Sequence, residues 1–336
     1  MAGSNLAHVA RASGIGSLPG TDIREALKGV RDILGDGQLP YLPELPARGP
    51  GSDMVGRAAG LLVDLHVDLQ PSGWRFVERP GRDAERTAAL WRQDLDELAE
   101  AFDGYAGDLK VQSTGPWTLA ATIELNRGEK AVADEGAVRD IVGSLAEGLR
   151  DHLGRVQALV PGARLWLQLD EPSLPAVLEG RLSTASGYGH LRAVDPQVVA
   201  AGLRDVLAAA PDAEATVVHC CDRGIPLPLL RNSGTAAIAL DTTGLSPQRW
   251  ESVAATVEDG VAVWPGCLPT DGSGSVRGAV EEVERGWADA GMPRAGLGAL
   301  VATPACGLAG LTPDGAWRVQ RAAVDVAAEW SERAEG

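Results

Sequence analysis

The sequence predicts a single α/β domain of the (β/α)8 barrel class, spanning residues 1–336. Three observations lead there. Short apolar runs alternate with amphipathic stretches about eight times, and eight strand–helix units close a parallel sheet into a barrel. No Gly-x-Gly-x-x-Gly follows an early strand: Gly14-Ile15-Gly16-Ser17-Leu18-Pro19 comes near, but it lacks the third glycine and carries Pro19. That counts against an open, doubly wound dinucleotide-binding sheet. Finally, Ser17, Glu44, Asp170, His219, Cys221, Asp241 and Cys306 all fall at or just beyond the carboxyl ends of expected strands. In a barrel those ends converge on one face, where residues hundreds of positions apart can meet.

Taken in order, the strands are expected to end at Ser17, Glu44, Ser113, Asp170, Cys221, Asp241, Pro265 and Pro304. Between them the 3.6-residue apolar pattern predicts helices over Asp53–Asp68, Glu85–Phe102, Glu135–Leu159, Pro196–Ala210, Pro247–Val257, Gly278–Ala290 and Pro313–Ala334. Several open on proline or an acidic residue and close near glycine, as helix ends do. The proline-rich stretch Pro40–Pro50 has interleaved apolar residues and reads as an ordered strand and loop. Leu69–Pro80, around Gly73-Trp74, is expected to form a small hairpin.

The balance of 30 basic against 46 acidic residues gives a net charge of −16. This argues against nucleic acid and anionic membrane surfaces as partners. No run of 18 or more apolar residues is present to span a bilayer. The first residues lack the apolar core of a secretory leader, and the four cysteines are spread along the chain. Both features point to reduced thiols and a cytoplasmic protein.

The chemistry centres on Val217-Val218-His219-Cys220-Cys221-Asp222. Side chains alternate along a strand, so His219 and Cys221 share one face and Cys220 takes the other. A His-x-Cys pair supplies one nitrogen and one sulfur to a borderline-soft metal such as zinc. Asp241, closing Ala236–Leu240, and Cys306, after Pro304-Ala305, bring an oxygen and a second sulfur. Such a set, with no Cys-x-x-Cys pair, suits an open catalytic site better than a closed structural one. The bland alternatives are an N-capping Asp241 ahead of Thr242-Thr243-Gly244 and small buried cysteines.

These residues resemble the catalytic barrel of the cobalamin-independent methionine synthase family. Ile15-Gly16-Ser17-Leu18-Pro19 is similar to the family's Ile-Gly-Ser-Phe-Pro, and Pro43-Glu44 with Ser52-Asp53-Met54-Val55 to its Gly-Glu and Asn-Asp-Met-Val. Ser72-Gly73-Trp74, Thr114-Gly115-Pro116 and Gln168-Leu169-Asp170-Glu171-Pro172 resemble Asn-Gly-Trp, Thr-Gly-Pro and Gln-Ile-Asp-Glu-Pro. His219-x-Cys221 and Pro304-x-Cys306-Gly307-Leu308 resemble its two cysteine motifs, in the same order.

The resemblance implies catalytic zinc held by His219, Cys221 and Cys306, with the family's glutamate ligand replaced by Asp241. It implies an amino-acid thiol, homocysteine, whose ammonium faces Glu44 and Asp170 and whose carboxylate meets Ser17 and the backbone of Ile15 and Gly16. The product would be methionine, and the methyl donor either methyltetrahydrofolate or a methylcorrinoid on a carrier protein. The sequence also departs from the family. There is no room for the second, N-terminal barrel of the long enzymes. The Asp-Ile-His-Ser segment bearing the family's histidine acid is replaced by Pro265–Asp271, which leaves Asp271 as the candidate general acid. The family's pterin-contacting tryptophan would fall near Thr122, with Trp117 close by, and Lys110 and Arg75 are candidates to contact a folate tail. Competing readings are a non-catalytic zinc- or thiol-binding barrel and a lyase or decarboxylase on the same scaffold.

Overall fold

The computed structural model describes residues 9–210 and 213–336. Its strands are β1 (Arg11–Ala12), β2 (His66–Gln70), β3 (Gly73–Val77), β4 (Asp108–Thr114), β5 (Arg164–Asp170), β6 (Ala215–Cys220), β7 (Ala237–Asp241), β8 (Ala262–Leu268) and β9 (Val301–Pro304). β2 and β3 form an antiparallel hairpin, and the other seven make one parallel sheet in the order β1-β9-β8-β7-β6-β5-β4. The gap between β4 and β1 is spanned by residues 39–44. Parallel bridges join Leu39 to Ser13, Glu44 to Ser17 and Tyr41 to Lys110. Pro40 and Pro43 have no N–H to donate, so this eighth segment cannot carry a continuous ladder. It closes the ring through the N–H groups it retains: Leu39 to Ala12 O, Leu42 to Lys110 O and Glu44 to Gly16 O, at 2.9–3.1 Å. The barrel expected from the sequence is therefore formed, with its second strand reduced to isolated bridges.

The helices are α1 (Ile23–Leu34), α2 (Met54–Ala59), α3 (Arg82–Ala101), α4 (Pro116–Thr122), α5 (Glu135–Leu159), α6 (Leu174–Glu179), α7 (Pro196–Leu207), α8 (Leu227–Arg231), α9 (Pro247–Glu258), α10 (Val276–Asp289) and α11 (Pro313–Glu335). The long ones begin as their sequences dictate. Asp195, Ser246 and Thr312 each cap a free backbone N–H, and proline follows at the first helical position. Three expectations change. The helix expected over Asp53–Asp68 stops at Ala59, where Gly60 packs its backbone against Thr87 and the chain turns into the hairpin. That hairpin begins at His66, earlier than the expected Leu69. α1 falls outside the expected helices, although Asp22 caps it and Ile23, Ala26, Leu27, Val30 and Leu34 form its buried stripe.

Two apolar regions result. Outward-facing strand residues such as Val111, Leu167, Val218, Cys220 and Cys267 pack with the helices in the main core. Inside the barrel a smaller cluster of Ile15, Leu39, Val217, Ala237, Ala239, Trp264 and Val301, with Trp166 against it, fills the lower half. Above it the inward positions turn polar: Lys110, Gln112, Gln168, Asp170 and His219 are all buried. Among the described residues no helix is long and apolar enough to cross a membrane.

At the opposite, amino-terminal end of the strands, Asp108 ties the closure together. Its carboxylate accepts from Arg11 Nη1 and Arg164 Nε, each at 2.6 Å, linking β1 and β5 through β4. Burial alone would raise the Asp108 pKa, but hydrogen bonds and charge from the two guanidiniums outweigh it and hold it below the ordinary carboxylate value. A depressed folded-state pKa contributes stability at neutral pH that is lost as the pH falls through that value. Asp108→Asn is expected to lower unfolding stability at pH 7 by about 1–2 kcal/mol in urea titrations. It should also shrink the difference between neutral and acid stability, and an unchanged acid limb would sink the assignment.

Candidate metal and thiol site

Strand register builds the site. Asp170 lies directly opposite His219 in the β5–β6 ladder, so their inward side chains are neighbours, and Asp170 Oδ1 meets His219 Nδ1 at 2.8 Å. This bond fixes the imidazole with its proton on Nδ1 and leaves Nε2 as the lone-pair nitrogen. Nε2 is buried and has no hydrogen-bond partner among the described residues. Burial disfavours the imidazolium, yet Asp170 outweighs it and raises the His219 pKa above the ordinary value. Continued alternation returns Cys221 to the same side while Cys220 packs outward.

Cys306 arrives from the loop after β9. Leu308 N–H donates to Ser17 O at 2.8 Å, and the Ser17 hydroxyl lies so close to Gly307 that a Cβ there would collide with it. Only glycine permits this approach. Cys306 Sγ then lies 3.2 Å from Cys221 Sγ, far beyond a disulfide bond, and both thiols are free and partly exposed. The ligand atoms of His219, Cys221 and Cys306 all fall within 4.8 Å of one another. The Cys221 bond and His219 pull the Cys306 thiol down to about 6, and the same bond with burial pushes Cys221 up. One nitrogen with an unused lone pair beside two free sulfurs fits a tetrahedral, borderline-soft ion such as zinc with one position left open.

Asp241 stays outside that group. Its Oδ1 accepts from Thr243 N–H and Oγ1 at 2.9 and 2.6 Å, which is the local capping turn that the sequence allowed as its alternative. Asp271 is exposed, and bonds from the Ser273 hydroxyl and N–H hold its pKa below the ordinary carboxylate value. It is therefore ionised at neutral pH and carries no proton to donate. Trp117 is fully buried with Nε1 on Val199 O, and Arg75 is paired with Glu124 at 2.6 Å. Cys267 faces the helices, with Sγ 3.9 Å from Thr303 O.

Other polar residues are buried in the same layer of the barrel. Glu44 is buried next to Ser17 across the bridge that closes the barrel, and Gln112 Nε2 reaches its Oε1 at 3.4 Å. Burial pushes its pKa up to about 7, opposed by Arg57 and reinforced by Asp170. Gln112 also fills the space above Gly16, where a Cβ would approach it to 2.9 Å. The role of Gln168 was not anticipated from the sequence: its Nε2 bonds both Ile15 O and Asp170 Oδ1, each at 2.8 Å. Glu171 is likewise buried but faces away, accepting from Trp117 N–H, Thr118 N–H and Thr118 Oγ1 at the start of α4.

Residues 10–329 match the family described as cobalamin-independent synthase, catalytic domain. Among curated proteins none matches the sequence significantly. Among solved structures, a B12-independent methionine synthase from Shewanella sp. W3-18-1, in complex with selenomethionine, is similar over 95% of this chain and 97% of its own. Identity is 15% and the TM-score 0.61, a likeness of fold. A thermostable mutant of a xylanase from Cellvibrio japonicus aligns over 95% and 98% of the two chains at 10% identity, but its TM-score of 0.41 is too low to bear on the argument. By the match across nearly all of its length, the chain belongs to the cobalamin-independent synthase family, as its catalytic domain.

Proposed function

We propose that the protein is a zinc-dependent thiol methyltransferase that converts homocysteine to methionine. The observation that carries this reading is the convergence of His219, Cys221 and Cys306, with Asp170 bonded to His219 and Glu44 bridged to Ser17 in the same barrel. A thiol whose sulfur meets the metal donors would place its ammonium between the two carboxylates. Its carboxylate would then reach Ser17 and the nearby N–H groups. Zinc bound there would lower the pKa of a coordinated thiol, so that a nucleophilic thiolate exists at neutral pH. The chain's own residues do the rest. Asp170 orients His219 through Oδ1, and Gly307 keeps Cys306 against the Ser17 loop.

The donor follows from the group that must leave. A pterin nitrogen needs a proton as it departs, and the exposed, ionised Asp271 does not supply one. A methylcorrinoid releases its methyl to the attacking sulfur while both electrons of the cobalt–carbon bond return to cobalt, with no proton required. We therefore favour a methylcorrinoid, on a carrier protein in the cytoplasm, over methyltetrahydrofolate. The capping role of Asp241 points to a centre with three protein ligands and the thiol as the fourth.

Zinc analysis of purified protein should give about one ion per chain, lost in Cys306→Ser and retained in Asp241→Ala. Loss of the metal in Asp241→Ala would return that carboxylate to the ligand set. Asp170→Ala should weaken zinc binding by about 10–100-fold, as expected when a histidine ligand loses its orienting partner. With homocysteine present, methionine should form from methylcobalamin and not from methyltetrahydrofolate. Turnover with the folate alone would overturn the donor assignment. Methyl transfer from neither donor by the zinc-loaded protein would favour a non-catalytic barrel.

A further inference from the structure

Both thiol donors lie beyond the ends of their strands, where the sheet no longer directs a side chain. His219 is paired on each side, with Asp170 of β5 and Ala239 of β7. Cys220 is the last residue of β6 in register, opposite Leu240, so Cys221 stands one residue past the ladder. Cys306 stands two residues past β9, and Leu308 N–H on Ser17 O holds its loop from outside. Cys221 needs an equivalent restraint, because the chain turns at once. Asp222 Oδ1 accepts from Gly224 N–H at 2.6 Å, and Asp222 O accepts from Ile225 N–H at 3.0 Å. These bonds close the turn on itself. A tie to the neighbouring layer comes from Arg249, half-buried in the first turn of α9, where the Ser246 cap accepts from its N–H. Arg249 Nη2 donates to Arg223 O, and Nη1 donates to Ile225 O at 3.2 Å. One planar fork thus grips the carbonyls on either side of Gly224.

From this geometry we infer that Arg249 is a positioning residue for the metal centre, holding the β6–α8 turn so that Cys221 Sγ stays beside Cys306 and His219. The inference rests on the zinc reading above, since its consequence is metal affinity. A donor that must be ordered as the metal arrives gives up part of the binding energy, and one held in advance does not. With three protein ligands, a loosely held sulfur is a large share of the set. The fork is specific to arginine. Its guanidinium presents N–H groups in one plane at fixed separation, which suits two carbonyls of one turn, whereas a lysine ammonium is a single point of contact. The bonds of Arg249 go to backbone carbonyls and not to the sulfurs, so its influence passes through the turn.

The test measures zinc affinity by chelator competition, and the ligand set by cobalt substitution, on the full chain. Arg249→Met keeps much of the side chain's reach and removes its donors. It should weaken zinc by about tenfold or more, the usual scale for losing an outer-shell partner. Its cobalt form should lose sulfur-to-cobalt charge-transfer intensity and approach the spectrum of Cys221→Ser. Arg249→Lys, which can restore one of the two bonds, should fall between Arg249→Met and wild type. Arg231→Met controls for a general loss of stability. It removes the partner of Asp259 at the other end of the α8–α9 contact, 3.3 Å away, and should leave zinc affinity within about twofold. Wild-type affinity and spectrum in Arg249→Met would overturn the proposal. So would equal losses in Arg249→Met and Arg231→Met, the mark of a loosened helical layer. Should Arg249→Met fail to fold, Arg249→Lys decides: affinity and spectrum equal to wild type refute the fork. Absence of zinc binding in wild type is a distinct result, which overturns the metal reading and this inference with it.

Discussion

The hydrogen bond between Asp170 and His219 is the contact on which the site depends. It exists because β5 and β6 are parallel and in a register that sets these two residues side by side. A shift by one residue would turn one of them into the helical layer. With the bond in place, a single carboxylate couples to the imidazole and sets its free Nε2 beside the two sulfurs.

That coupling requires a polar layer inside a barrel whose lower half is packed with Trp166, Trp264, Val217 and Leu39. Buried charges are costly unless paired and hydrogen-bonded. Lys110, Gln112 and Gln168 meet that condition for Glu44, Asp170 and the Ile15 carbonyl, and together they form a fixed frame instead of a solvated cleft. A second buried ionic group, Asp94 between Arg48 and Arg57, stands behind Glu44 and opposes the effect of its burial. A prearranged frame avoids the cost of ordering these groups when the ligand arrives.

The residues the sequence nominated for the thiol and those it nominated for the donor are placed differently. Asp170 and His219 hold each other across β5 and β6, and Cys221 Sγ and Cys306 Sγ lie 3.2 Å apart. Trp117 is buried in the core and Asp271 lies in solvent.

The barrel was legible in the sequence because its signals are local: alternating runs, capped helices such as Pro247–Glu258, and polar residues where strands end. His219, Cys221 and Cys306 were also legible, since strand alternation and residue chemistry suffice to nominate donors. The extent of the second strand was not, because proline content shows where a ladder weakens and not whether neighbouring strands still close around it. Nor was the fate of Asp241, for which ligation and capping are equally local options; in the structure its Oδ1 accepts from Thr243. Lys110 shows the same limit most plainly. Its charge suggested solvent or an acidic ligand, and only the folded barrel, by bringing Ile15 from the segment after β1 and Gln168 from β5 against it, made burial of that charge physically tolerable. Sequence thus nominated residues for chemistry and the face of each strand on which they lie. Tertiary structure alone decided which of them meet, because pairing across the barrel depends on closure and register.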